Sequence, residues 1–138
     1  MRESLFRGKD EGTDDWVEGY YYESQKPSDF GGERRYYIFD DKTISKYNVL
    51  PETVGQYTGL KDKNGKKIFE GDIVHAEICE GNYQGFRFPI GEVVFENSSF
   101  CIKDYKQTTP LSSYSPRVQF EVIGNIHDNP DLLKGEQE

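Results

Sequence analysis

The side chains that could carry catalysis are few and scattered along this sequence. It contains two histidines, His75 and His127, and two cysteines, Cys79 and Cys101. No glycine-flanked serine accompanies them, and a catalytic triad needs a nucleophile, a base and an orienting acid in mutual contact. We therefore predict no catalytic residues and expect that the protein is not an enzyme.

The sequence contains no recognisable metal-binding or cofactor-binding motif either. There is no phosphate-binding loop, dinucleotide fingerprint or His-Glu-x-x-His motif, and two cysteines are too few for a thiolate zinc site. Residues 62–65 (DKNG) resemble the start of a calcium loop, but an EF-hand places glycine sixth and glutamate twelfth. Here glycine is fourth and Ile73 is twelfth. We expect no metal, no cofactor and no small-molecule substrate, and a hairpin turn at residues 62–65.

Composition indicates a folded, acidic domain. The formal net charge is −8, hydrophobic residues make up 34% of the chain, and aromatic residues make up 14%. Disordered segments are poor in aromatics, so we predict a fold whose core is rich in rings. Nucleic-acid binding depends on Lys and Arg that release phosphate counterions, and the acidic balance argues against it.

Hydropathy favours a cytoplasmic protein with no membrane contact. No apolar run approaches the ~18 residues that span a bilayer, and the first residues lack the apolar stretch of a signal peptide. In the cytoplasm we expect Cys79 and Cys101 to stay reduced and unbridged.

Period-two alternation with β-branched and aromatic residues predicts a mostly β chain. The predicted strands cover residues 4–7, 16–22, 35–39, 43–48, 67–69, 73–79, 91–96, 100–105 and 119–126. Residues 25–33, 80–88 and 106–117 are predicted loops. Asn129, Pro130 and Gly135 suit the start and the end of a short C-terminal helical turn.

Turn residues and faces can also be assigned. Asn64-Gly65 predicts a hairpin, because both residues tolerate the positive φ that a two-residue type I′ turn would need. Asn97-Ser98 predicts a second tight turn. Val93 and Phe95 should share a face with Phe100 and Ile102 on the next strand. Gly124 is expected to allow a bulge or a close approach of another part of the chain.

Three segments resemble the YopX family. They are residues 56–74 (QYTGLKDKNGKKIFEGDIV), residues 120–133 (FEVIGNIHDNPDLL), and the N-terminal residues 2–9 with 16–20. The resemblance covers nearly the whole chain. It implies a small protein of bacteriophage or prophage origin with an SH3-like β-barrel and no established molecular activity, and it supplies no catalytic or binding residues.

Together these observations predict an all-β protein, an SH3-like small β-barrel with an N-terminal antiparallel β extension and a short C-terminal helical turn. Residues 1–54 would form the extension and residues 55–138 the barrel. The stage of phage life that it serves stays open.

The candidate interface consists of rings in the N-terminal strands: Trp16, Tyr20, Tyr21, Tyr22, Tyr36 and Tyr37. Alternate residues of a strand point to opposite faces, so one face cannot hold all of them. One interpretation is a non-enzymatic accessory protein that acts through protein contacts or self-association. In another, the rings cover the sheet within the chain as a second layer. A nucleic-acid-binding small barrel is the alternative function.

Overall fold

The computed structural model describes residues 5–25, 34–40, 42–78, 90–104, 107–114 and 118–137. Within these ranges the chain is all-β, with two antiparallel sheets, three 3-10 helices and no α-helix. The 3-10 helices are Pro51–Thr53, Leu111–Ser113 and Pro130–Gln137. The strands are β1 (Phe6–Lys9), β2 (Trp16–Gln25), β3 (Arg34–Asp40), β4 (Ser45–Asn48), β5 (Gly55–Lys61), β6 (Lys67–Phe69), β7 (Asp72–Ile78), β8 (Ile90–Glu96), β9 (Ser99–Lys103), β10 (Thr108–Pro110) and β11 (Val118–Asn125).

The chain forms two compact units, Met1–Tyr57 and Thr58–Glu138. In the first unit the strands follow the order β4-β3-β2-β1-β5, all antiparallel to their neighbours. Ile38 and Val49 are its most buried side chains. Gly8 packs closely on them, since a Cβ there would lie 3.1 Å from Cβ of Val49.

The second unit holds the end of β5, strand β6, and a five-stranded sheet in the order β10-β9-β8-β7-β11. Its hydrophobic core is one cluster of buried residues formed by Ile68, Val74, Val93, Ile102 and Leu111. Four of them lie on strands β6 to β9, one on each strand, and Leu111 lies in a 3-10 helix.

The prediction of an all-β chain is confirmed, and each predicted strand corresponds to one of β1–β4, β6–β9 or β11. Two strands were not predicted. Strand β5 is interrupted by Gly59, whose φ is +88°, and β10 contains Pro110 and lies at the edge of its sheet, where proline costs no ladder bond. The prediction of a loop over residues 106–117 is therefore wrong for 108–113. Residues 26–33, Cys79 and the predicted loop 80–88 lie outside the described residues.

The hairpin predicted at Asn64-Gly65 is confirmed, but its turn is not of type I′. Gly65 has a φ of +81°, but Asn64 keeps a negative φ. Backbone hydrogen bonds from Gly65 N to Asp62 O (3.0 Å) and from Asp62 N to Lys66 O (2.7 Å) define a three-residue loop instead. It is a type I turn followed by a left-handed glycine, the common three-residue hairpin.

Three other local predictions, on the Asn97-Ser98 turn, the β8–β9 pairing and Gly124, are confirmed. Asn97 and Ser98 both have positive φ, at 52° and 65°, as the two central residues of a type I′ turn require. Val93 pairs with Ile102 and Phe95 with Phe100 across this hairpin. The register of β11 on β7 shifts between Val122 and Gly124, which is the expected bulge.

Candidate functional site

The register of β2 on β3 sorts the candidate rings onto two faces of the first unit's sheet. Tyr20 lies opposite Phe39, and Tyr22 lies opposite Tyr37. Cross-strand partners share a face, so these four rings form one surface, which we call the aromatic face. Lys46 extends it onto β4, because it lies opposite Phe39.

The aromatic face is open to solvent. Tyr20 is 54% exposed and Tyr22 is 39% exposed, although both are large rings. Tyr22 stacks on Tyr37 with ring centroids 5.1 Å apart, and Nζ of Lys46 lies 4.6 Å from the Tyr37 centroid. Tyr22 and Tyr37 are thus held in place by each other and by a cation before anything binds to them.

Trp16 is on the same side of β2 but nearer to β1. Cζ of Arg7 lies 4.6 Å from the centroid of its ring and Nζ of Lys9 lies 5.5 Å away. Arg7 is buried, and the indole is half-buried. The indole therefore makes cation–π contacts inside the chain, and it is a weaker candidate for an interface than Tyr20 and Tyr22.

Tyr21 and Tyr36 point to the opposite face, on the side of the buried Ile38. The ring of Tyr21 packs on Phe6 with centroids 5.6 Å apart, and its hydroxyl donates a 3.0 Å hydrogen bond to Oε1 of Glu23. Burial, with help from the Glu23 carboxylate, raises the pKa of Tyr21 to about 12. The structure therefore brings together Tyr20, Tyr22 and Tyr37 and separates Tyr21 and Tyr36 from them.

Phe39 and Lys46 belong to the aromatic face but were not among the predicted interface residues. Alternation along β3 places Phe39 two residues from Tyr37, so the sequence did contain its signal. Lys46 could be placed only once the register of β3 on β4 was known, because that pairing sets it opposite Phe39.

The turn in the longest family-like segment is held by two charged side chains. The carboxylate of Asp62 accepts backbone hydrogen bonds from Asn64 (2.9 Å), Lys66 (2.9 Å) and Val122 (3.0 Å). Burial of Asp62 works to raise its pKa, but these hydrogen bonds together outweigh it and the pKa lies below its ordinary value. The contacts of Asp62 thus join the β5–β6 turn to β11.

Lys63 adds an ion-pair network to this turn. Its Nζ lies 2.7 Å from Oε1 of Glu77 and 3.0 Å from Oε2 of Glu121. Its hydrogen bonds, first to Glu77 and then to Glu121, raise the pKa of Lys63, and its ammonium lowers the pKa of Glu77. These ion pairs hold the turn to β7, through Glu77, and to β11, through Glu121.

A small polar cleft lies at one end of the first unit. It encloses about 200 Å³ and is lined by residues of the β1–β2 loop, β3, the end of β4 and the segment after it: Glu11, Arg34, Arg35, Tyr36, Asn48, Val49 and Pro51. Sites for small organic ligands usually enclose roughly 300–1,000 Å³ and are mostly apolar. The cleft is smaller and more polar than such a site.

In the described part of the chain, no three His, Cys, Asp or Glu side chains are grouped so that they could hold a metal ion. None of the helices in that part is long and apolar enough to cross a bilayer. Cys101 is a free, buried cysteine, and Cys79 lies outside the described residues.

Fold and surface together define an all-β protein of two antiparallel sheets with an exposed aromatic face. The chain belongs to the YopX family, since the family model described as YopX protein matches residues 5–134. Its architecture is similar to two solved structures. One is YopX from Bacillus subtilis, with a TM-score of 0.56 and 18% identity, and the other is protein EF1440 from Enterococcus faecalis, with a TM-score of 0.54 and 24% identity. In both cases the match covers 96% of this chain and 99% of the other. No curated protein matches the sequence.

Proposed function

We propose that this YopX-family protein is a non-enzymatic accessory protein of phage or prophage type that acts in the bacterial cytoplasm through protein contacts. The observation that carries the proposal is the aromatic face, on which Tyr20 and Tyr22 are exposed beside the stacked Tyr37. Tyrosine is enriched at protein interfaces because it offers a large contact area and loses little side-chain entropy on binding.

The proposal includes an SH3-like small barrel in the second unit, ended by the C-terminal 3-10 helix. Two contacts support it, from Lys63 N to Phe120 O (2.8 Å) and from Val122 N to Oδ2 of Asp62 (3.0 Å). They tie the β5–β6 turn to the free edge of β11, as strand closure in a barrel requires. The barrel would be confined to the second unit, whereas the proposed binding surface belongs to the first.

Binding of single-stranded nucleic acid is the second candidate function. Lys46 over Tyr37 favours it, since such proteins combine aromatic stacking with cations that meet phosphates. The charge balance argues against it. Residues 1–57 contain eight basic and twelve acidic side chains, and residues 58–138 contain nine and thirteen. Neither unit has the basic excess that such binding needs.

Cross-linking in a bacterial lysate tests the proposed protein contacts. The full chain and its Tyr20→Ser/Tyr22→Ser variant are tagged, cross-linked and compared, with Phe95→Ser as a matched control. Phe95 is another exposed ring, 49% accessible and located in the second unit. We expect the double variant to lose most cross-linked protein products, including any dimer, while the control keeps them. Equal products from all three proteins would reject the aromatic face as the contact surface.

A further inference from the structure

Three exposed charged side chains lie at the margins of the aromatic face: Glu18, Arg35 and Lys46. Glu18 precedes Tyr20 by two residues on β2, so both point to the same side of the sheet. Lys46 lies at the other margin, on β4, beyond Phe39. Arg35 precedes Tyr37 by two residues on β3 and points to the same side. The surface is thus a group of four rings with one anion, Glu18, and two cations, Arg35 and Lys46, at its margins.

Strand geometry places Glu18 and Lys46 at similar distances from the middle of the rings. Neighbouring strands are ~4.8 Å apart and residues rise ~3.4 Å along a strand. On that grid, the backbone positions of Lys46 and Glu18 lie roughly 8 and 10 Å from the centre of the four rings. A two-fold axis through this centre, lying in the plane of the face, can therefore set Lys46 of one copy against Glu18 of another.

We propose that the partner of the aromatic face is a second copy of this chain, bound face to face about a two-fold axis. This inference rests on the proposed function, because it names the partner for the same surface. The face has the complementarity that an isologous interface needs: rings meet rings at the centre, and each Lys46 meets a Glu18. The two symmetric ion pairs fix the relative orientation of the copies, as charges at an interface rim commonly do.

Two charge reversals, Glu18→Lys and Lys46→Glu, test this arrangement in the purified full chain. Wild-type protein should dimerise in sedimentation velocity between ~1 and ~100 µM at ~150 mM salt. Each reversal places like charges at both symmetric contacts and should weaken dimerisation by roughly tenfold. Glu52→Lys, an exposed reversal outside the aromatic face, is the matched control and should leave dimerisation unchanged.

Mixing the two variants gives the decisive measurement. In a mixed dimer, the lysine introduced at position 18 of one copy would face the glutamate introduced at position 46 of the other. At the second contact the native Lys46 would face the native Glu18, so an equimolar mixture should dimerise about as well as the wild type. A monomeric wild type at ~100 µM, reversals without effect, or no recovery on mixing would each overturn the two-fold arrangement. If a reversal lowers the melting temperature, the neutral pair Glu18→Gln and Tyr20→Ser replaces it, and both must weaken dimerisation.

The sedimentation experiment can fail while the cross-linking test of the proposed function succeeds, so the two proposals can be distinguished. If purified wild-type protein is monomeric but the lysate cross-links depend on Tyr20 and Tyr22, the face binds another protein and the second-copy proposal fails alone. If neither association is found, both proposals fail.

Discussion

At the scale of single residues, Asp62 is the clearest case of a charge used for structure. It is only 7% exposed, yet its carboxylate accepts three backbone hydrogen bonds. Two of these close its own turn and the third reaches Val122, sixty positions away in sequence. The presence of this aspartate in a family-like segment therefore has a mechanical explanation that requires no ligand.

We predict that Asp62→Asn lowers the free energy of unfolding by about 1–3 kcal/mol at pH 7, because an amide N–H then faces the N–H of Val122. The folded pKa of Asp62 lies below its ordinary 3.8, so its contribution is complete above that value. This stabilisation by the Asp62 carboxylate is lost as the pH falls through its folded pKa. Urea denaturation of both proteins at pH 7 and at lower pH should show the difference shrinking below about pH 4.

The exposed Asp15 provides the control for this prediction, and Asp15→Asn should change stability by less than about 0.5 kcal/mol at either pH. A difference between wild type and Asp62→Asn that stayed constant from about pH 7 to about pH 3 would contradict the role given to the carboxylate charge.

At the scale of elements, the two hairpins show that similar turn sequences use the backbone differently. At Asn64-Gly65 only the glycine has positive φ, whereas at Asn97-Ser98 both residues do. The extra hydrogen bonds from Asn64 and Lys66 to Asp62 account for the first outcome, since they favour a three-residue loop. A prediction made from the dipeptide Asn64-Gly65 alone takes no account of the Asp62 carboxylate, which lies two positions upstream of Asn64.

From the two turns we expect Gly65→Ala and Ser98→Gly to have opposite effects on the stability of the fold. Gly65→Ala should cost about 1 kcal/mol through backbone strain alone, because a Cβ there would meet no atom within 4 Å. Ser98→Gly should stabilise the protein by about 0.5 kcal/mol, since relief of positive φ exceeds the added chain entropy. Chemical denaturation measures both. Ser99→Gly, within β9, is the control and should destabilise. A neutral Gly65→Ala would argue against the left-handed turn.

The sequence was sufficient for most strands and for the separation of rings onto two faces. It could not identify β5, because Gly55 and Gly59 break its alternation and its burial comes from tertiary packing. It could not say which set of rings would be exposed either. That outcome depends on Ile38 and on the close approach of Gly8 to Val49, which place the core on the side of Tyr21 and Tyr36.

At the scale of the whole molecule, acidity is spread along the chain. Acidic side chains outnumber basic ones by four in residues 1–57 and by four in residues 58–138. Two of the cations near the rings already contact aromatic rings within the chain, Lys46 over Tyr37 and Arg7 over Trp16. A nucleic acid would find aromatic rings on which its bases could stack, but the negative charge of the protein would repel its phosphates.

We therefore predict no useful affinity for single-stranded DNA or RNA. Phosphate neutralisation supplies most non-specific affinity, so a chain of net charge −8 should bind a labelled oligonucleotide of about 20 nucleotides with a Kd weaker than ~100 µM at ~150 mM salt. Fluorescence anisotropy at ~150 and ~20 mM salt measures this. Sub-micromolar binding that weakens steeply with salt would reverse the order of the two candidate functions. In that case Lys46→Gln should reduce the salt dependence, because it removes one phosphate contact beside the rings, whereas Lys42→Gln, at an exposed turn, should not.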